Sequence, residues 1–249
     1  MAFSQAHSYR PIASAVATVG VSDRVAFLRR TYAHLGLALL AWAGLTFGLM
    51  RWATDFSLSF SSWALKGQLN WLLILGAFML VGYLAERLAT SDSSRGLQYA
   101  GLGVAIAAQA LILQPLLWVV FAKAARSSSG FDPMALLGQA ALITGVIFVG
   151  LTLTVFLTRK DFSFLRGTLT VATFGALGII VASMAFGFSL GALFCGAMVL
   201  LMSGYILYQT SLVMQHFRPT QHVAAALMLF STIATLFWYV VQLLLSSRD

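Results

Sequence analysis

Gly187-Phe188-Ser189-Leu190-Gly191 has the G-x-S-x-G spacing that places a nucleophilic serine on a strand-to-helix elbow in α/β-hydrolases, with Asp and His later in the chain. Here no acid follows the serine except Asp249, so the stretch reads as a turn between two apolar segments. His34, His216 and His222 could act as a pH switch or bind a metal. His34 lies one turn into an apolar run and fits a hydrogen-bonded helix-end residue; the other two share a short loop with Arg218. The acids are Asp23, Asp55, Glu86, Asp92, Asp132, Asp161 and Asp249, and Cys195 is the only cysteine. No intrachain disulfide is possible, and zinc sites needing two or more thiolates are excluded. No nucleophile, base and acid fall at one depth. The chain is therefore expected to be no enzyme, with no metal and no cofactor.

The elements that must hold these residues are apolar. Of the 249 residues, 60% are hydrophobic and 9% charged, with a mean hydropathy of +0.89. Soluble domains carry about 25% charged residues. The deficit excludes both a soluble globule and a disordered chain, so most of the surface must face lipid. Seven apolar runs, near 32–50, 69–85, 97–122, 133–157, 167–186, 190–208 and 223–245, each suffice for a spanning helix of about 20 residues. They are continuously apolar rather than alternating over about 10 residues, which selects helices over barrel strands. The predicted fold is all-α: a polytopic bundle of seven transmembrane helices at 31–249 behind a cytoplasmic N-terminal tail at 1–30.

Within the third run, Pro115 removes a helix hydrogen bond and is expected to kink or break the helix. Gly44 and Gly48 form a G-x-x-x-G that permits close helix approach within the bundle. No charged residue lies mid-run, which argues against a proton pump or an acid-lined cation path. No lysine follows Lys160, so a retinal Schiff base in the last helix is excluded. Gln209 near the end of the sixth run, and Ser231, Thr232 and Thr235 in the seventh, are the polar residues most suited to helix–helix hydrogen bonds or a pore lining. Thr232 and Thr235, three apart, share a helix face.

The net charge of +8 implies nucleic acid only if the basic residues cluster on a soluble face, but they sit at the ends of apolar runs. That pattern marks topology and anionic lipid, so the expected partner is the bilayer and no nucleic acid. Ten Lys and Arg residues (Arg10, Arg24, Arg29, Arg30, Arg87, Arg95, Arg159, Lys160, Arg166 and Arg218) fall on the side of the N-terminus and five on the other. The N-terminus is thus expected in the cytoplasm and the C-terminus outside. The tail lacks a signal-peptide core. Its Arg- and Ser-containing, acid-poor composition leaves a mitochondrial inner-membrane location as the alternative to a bacterial inner membrane.

Thr158-Arg159-Lys160-Asp161-Phe162-Ser163-Phe164-Leu165 resembles the T-R-K-D-x-S-F-L loop of YccA-type proteins in the Bax inhibitor-1 family. Ile206-Leu207-Tyr208-Gln209-Thr210-Ser211 resembles that family's I-L-[FY]-[DE]-T-S, and 226–237 resembles its seventh span. The ending Ser247-Arg248-Asp249 matches too. The resemblance implies a seven-helix inner-membrane protein. Relatives either modulate the membrane AAA protease FtsH or leak calcium through a pH-sensitive carboxylate pair. At those two acidic positions this chain has Gln209 and Thr232, which neither titrate near neutrality nor offer carboxylate oxygens to calcium. The resemblance therefore favours direct modulation of an FtsH-like protease, with Arg159, Lys160 and Asp161 as partner contacts. The alternative is a passive calcium or proton leak past Thr235, Ser231, His34 and Pro115.

Overall fold

The computed structural model describes residues 16–18, 20–91, 94–126 and 130–247, which hold helices and no strand. The helices are α1 (Val21–Arg51), α2 (Thr54–Leu65), α3 (Gln68–Ala89), α4 (Arg95–Arg126), α5 (Pro133–Thr158), α6 (Leu165–Phe186), α7 (Ala192–Gln215) and α8 (His222–Ser246), preceded by a short 3-10 turn at Val16–Thr18. All but α2 are long and apolar enough to cross a membrane. The bundle has a tail end, carrying the start of α1 and the α3–α4, α5–α6 and α7–α8 connections, and a far end carrying α2 and the other connections.

Lipid offers no hydrophobic gain for helix pairing, so close packing by small side chains must supply the contact. The first turn of α8, Val223 to Ala226, is buried throughout, and Leu229, Phe230 and Leu236 follow with no exposed surface. Two-thirds of the most apolar stretch of α8 is buried, against about a tenth for α6. Helices α1, α3, α4, α5 and α7 all pack on α8, while α6 lies outside against α7. Outward-facing Leu157, Phe186 and Leu193 are more than four-fifths exposed, an arrangement stable only where lipid covers them.

The tail is shorter than the composition suggests. Helix α1 starts at Val21 rather than near 32, with Asp23 in the first turn, where the helix dipole favours an acid. Its 31 residues span about 46 Å, so the charged first turns extend beyond a hydrocarbon core of about 30 Å. Phe27 in that extension is 1% exposed, and Val16 N–H donates to the Phe217 carbonyl at 2.8 Å. Residues 16–18 and 21–30 are thus structured; residues 1–15 lie outside the described residues.

Helix α2 has no counterpart among the seven apolar runs. Its 12 residues cover about 18 Å, too short to span. Ser57, Ser61 and Ala64, all buried, turn toward the bundle, while Phe56, Phe60 and Trp63 stack along the other face. Small residues inward and aromatics outward suit a helix lying at the membrane interface.

Pro115 does not break α4, which runs through it from Arg95 to Arg126. The neighbouring Gln114 is wholly buried and hydrogen-bonds at both ends of its amide. Its Nε2 donates to Ala110 O at 3.1 Å and Thr46 O at 3.4 Å, and its Oε1 accepts from Ser57 Oγ at 2.7 Å. Trp118 Nε1 donates to the same Ser57 Oγ at 2.8 Å. This network ties α1, α2 and α4 together beside the proline.

The two glycine patterns resolve differently. Gly187, at φ +75, forms the left-handed cap that ends α6, and Gly191 precedes α7, so G-x-S-x-G is the interhelical turn. Gly44 and Gly48 make no close helix contact: a Cβ on Gly44 meets nothing within 4 Å, and one on Gly48 meets only Trp52 of its own chain end. The tight approach is at Gly101 instead, where a Cβ would sit 2.5 Å from Ala85 O and 2.7 Å from Ala89 N.

Candidate functional site at the tail end of the bundle

The last turns of α7 carry Gln209, Thr210 and Ser211, all buried. On α8, Thr232 Oγ1 donates to Gln209 Oε1 at 2.8 Å and lies 3.3 Å from Met228 O. The two polar positions singled out by sequence are therefore direct partners across the α7–α8 seam, as a neutral amide–hydroxyl pair. A hydrogen bond of this kind fixes the rotation of one helix against the other, and in membrane bundles is worth about 0.6 kcal/mol on average.

The α5–α6 loop is latched to the same turn of α7. Arg159 ends α5 in a left-handed conformation at φ 52 and turns the chain back. Asp161 Oδ1 then accepts from Ser163 N at 2.8 Å and from Ser211 Oγ at 3.2 Å, while Phe162 N donates to Ser211 Oγ at 3.0 Å. Asp161 is an internal latch. Arg159 and Lys160 are exposed, and Phe164 beside them is 73% exposed. Replacing Asp161 with Ala removes the latch acceptor and should leave α7 intact. The expected result is severalfold faster tryptic cleavage after Arg159 and Lys160 in proteoliposomes, with an unfolding free energy within about 0.5 kcal/mol of wild type.

Three buried hydroxyls gather near this seam, Tyr32 on α1 with Thr152 on α5 and Thr210 on α7 beside it. The Tyr32 ring lies edge-on to Phe156 at 5.7 Å and tilted to Phe148 at 6.5 Å, which holds α1 against α5. Sequence patterning did not single out Tyr32 or Thr152 as members of the site, nor Ser57, Gln114 and Trp118 as members of the network beside Pro115.

His34 and His222 come together as sequence did not specify, with ring centroids 5.0 Å apart and edge-to-face. His34 Nδ1 is 2.7 Å from Arg30 O and Nε2 is 2.9 Å from Tyr99 OH. A carbonyl only accepts, so Nδ1 carries the proton, and in the neutral ring Nε2 accepts from the tyrosine. His34 is thus the hydrogen-bonded helix residue expected, joining α1 to α4. Thr235 and Ser231 do not join the Gln209–Thr232 pair: Thr235 Oγ1 donates back to Ser231 O at 2.8 Å within α8. Pro115 lies in the far half of the bundle with the Gln114 network.

Residues 24–249 match the family described as inhibitor of apoptosis-promoting Bax1. An uncharacterized protein of Pseudomonas aeruginosa is 36% identical over 106 residues, covering 42% of this chain and 47% of that protein. Bax inhibitor 1 of Schizosaccharomyces pombe is 28% identical over 235 residues, covering 92% of this chain and 79% of the yeast protein. The chain belongs to the Bax inhibitor-1 family of multi-pass membrane proteins.

Proposed function

We propose that this protein is a non-enzymatic modulator of a membrane-anchored AAA protease of the FtsH type, working by direct contact from a bacterial inner membrane with its N-terminus in the cytoplasm. The carrying observation is the Gln209–Thr232 hydrogen bond, which puts a neutral pair where a carboxylate-gated leak needs acids. The YccA-like loop supports the same reading. Its Asp161–Ser211 latch holds Arg159, Lys160 and Phe164 outward as a fixed basic and aromatic surface. A AAA motor gripping the N-terminal side would meet structured chain from Val16 onward, since Val16 is buried and bonded to the Phe217 carbonyl. Behind it, extraction of each span would expose about 20 apolar residues to water, so a motor would be held rather than fed.

Crosslinking in native membranes, followed by identification of captured AAA proteases, tests the contact. Capture is expected for wild type, reduced at least fivefold by Arg159→Ser with Lys160→Ser, and accompanied by slowed turnover of a membrane substrate of the protease. Deleting residues 2–14 should relieve that slowing without changing bundle stability. Absence of both capture and slowing overturns the reading. A second reading, a passive cation leak, is favoured by the cluster of buried Tyr32, Thr152 and Thr210 hydroxyls, which places oxygen ligands together in the bundle interior. It requires flux in liposomes with no partner present.

A further inference from the structure

At the tail end, α1, α4 and α8 bring basic side chains to one level. Helices α1 and α4 both run away from this end, and the contact of His34 Nε2 with Tyr99 OH at 2.9 Å fixes their register. Arg30 stands one turn above His34 and Arg95 one turn above Tyr99, so the two arginines share a depth on neighbouring helices. His222, at the start of α8, completes the group with its ring 5.0 Å from that of His34. The charged groups near enough to act on His222 are His34, Arg30 and Arg95, all basic. Both arginines are exposed, and neither forms an ion pair or a side-chain hydrogen bond with a described residue.

Depth places this group among lipid headgroups. Arg30 and Arg51 lie about 32 Å apart along α1, close to the hydrocarbon thickness of about 30 Å. With Arg51 at one boundary, the arginine pair stands at the other, where lipid phosphates sit. Below the pair the same helix faces turn small and apolar. Leu37 and Ala41 continue the Arg30–His34 face of α1, and Gly103 lies one turn below Tyr99 on α4, all three exposed. A Cβ on Gly103 would meet nothing within 4 Å, which leaves room for a hydrocarbon chain directly beneath the basic group.

A topology signal needs basic residues near helix ends, but not two from different helices at one depth with a histidine pair between them. Charge and apolar track together select the occupant. A guanidinium grips phosphate through paired N–H donors. A zwitterionic lipid would also bring an ammonium into a group of like charge, whereas an anionic lipid brings the phosphate alone. We propose that α1, α4 and α8 form a headgroup site for an anionic phospholipid, in which Arg30 and Arg95 clasp the phosphate from two helices and an acyl chain lies over Gly103. His34 uses both ring nitrogens on Arg30 O and Tyr99 OH, so it positions the two arginines rather than touching the lipid.

The test uses the full-length protein in phosphatidylcholine nanodiscs doped with phosphatidylglycerol that carries a diazirine near the top of one acyl chain. Crosslinked peptides are mapped by mass spectrometry. Crosslinks are expected within 31–44 and 96–107, competed away by unlabelled phosphatidylglycerol and not by phosphatidylethanolamine. Arg30→Gln with Arg95→Gln should raise the half-saturating mole fraction of the probe about 25-fold, each arginine being worth about fivefold against an anionic lipid. Arg30→Lys with Arg95→Lys keeps the charge but loses the paired donors, and should raise it by less. Arg51→Gln at the far boundary should leave it unchanged. Gly103→Leu keeps both arginines and fills the room below them, and should move the crosslinks off 96–107. Labelling that survives both the glutamine pair and Gly103→Leu overturns the proposal. So does equal labelling by a phosphatidylcholine probe of the same build, which would mean ordinary annular lipid. Competition by glycerol 3-phosphate as strong as by phosphatidylglycerol would make this a site for a soluble phosphate ester and overturn the lipid assignment.

Discussion

Gly101→Ala lowers stability by about 2 kcal/mol or more, whereas Gly44→Ala changes it by less than about 0.5 kcal/mol. The same one-carbon change meets two different surroundings. At Gly101 the new Cβ would lie 2.5 Å from Ala85 O, 2.7 Å from Ala89 N and 3.0 Å from Leu88 Cβ. Two of these are backbone atoms, which no side-chain rotation can move aside. Ala85 and Ala89 have no exposed surface, so α3 and α4 must separate along the whole seam that these small residues create. At Gly44 the Cβ enters open space on the lipid side, and alanine favours the helix. For a chain of this size the loss at Gly101 corresponds to a fall of about 4–8 °C in thermal midpoint. Equal midpoints for the two variants would show that the α3–α4 seam is not the tight contact described.

Span assignment succeeds because lipid removes ambiguity. A helix wetted by hydrocarbon must be apolar all round, so a continuous run is a sufficient signal, and each of the seven runs falls on a helix of its own, the sixth beginning just before α7. The same logic fails at the edges of the membrane. Asp23, Arg24, Arg29 and Arg30 interrupt the apolar run, yet the α1 backbone continues through them because charged side chains are well solvated beyond the hydrocarbon. Helix α2 carries no such signal, because its inward stripe of Ser57, Ser61 and Ala64 is small rather than greasy.

The candidate site was legible only where resemblance marked it. Gln209 and Thr232 are 23 residues apart in sequence and 2.8 Å apart in space. The resemblance named both positions as one pair, and residue type alone would not. The Tyr32, Thr152 and Thr210 cluster was illegible for a different reason. Thr152 and Thr154 sit in the same helix with the same side chain, but Thr154 turns back to Gly150 O whereas Thr152 is buried beside Tyr32. Which rotamer a threonine adopts depends on the neighbour that packs over it, and no local pattern carries that information.

The second large effect concerns ion flux. Purified wild-type protein in liposomes is expected to pass calcium at a low rate that stays flat between about pH 6 and 8, where neither an amide nor a hydroxyl titrates. Gln209→Glu combined with Thr232→Asp places two carboxyl groups where 2.8 Å now separates Thr232 Oγ1 from Gln209 Oε1. Two carboxylates that close cannot both ionise freely and tend to share one proton. At low pH the protonated partner donates to the other, as Thr232 does to Gln209 now, and the α7–α8 seam stays closed. As pH rises and the second proton leaves, repulsion and the cost of charge in the membrane interior, about 2.5–3.5 kcal/mol for one Asp, act to part the helices. The freed oxygens are also hard ligands suited to calcium. The expected outcome is flux at least tenfold above wild type at pH 8 but not at pH 6, with a thermal midpoint that falls over the same interval only in the double variant. A wild-type flux already steep in pH would defeat the argument from the neutral pair. Its loss on His34→Phe would then move the switch to the imidazole pair of α1 and α8. Flat flux in both proteins, with the midpoint falling as described, would mean that the seam responds to charge without opening a path. The leak reading would then lose its support, leaving the protease contact as the function to pursue.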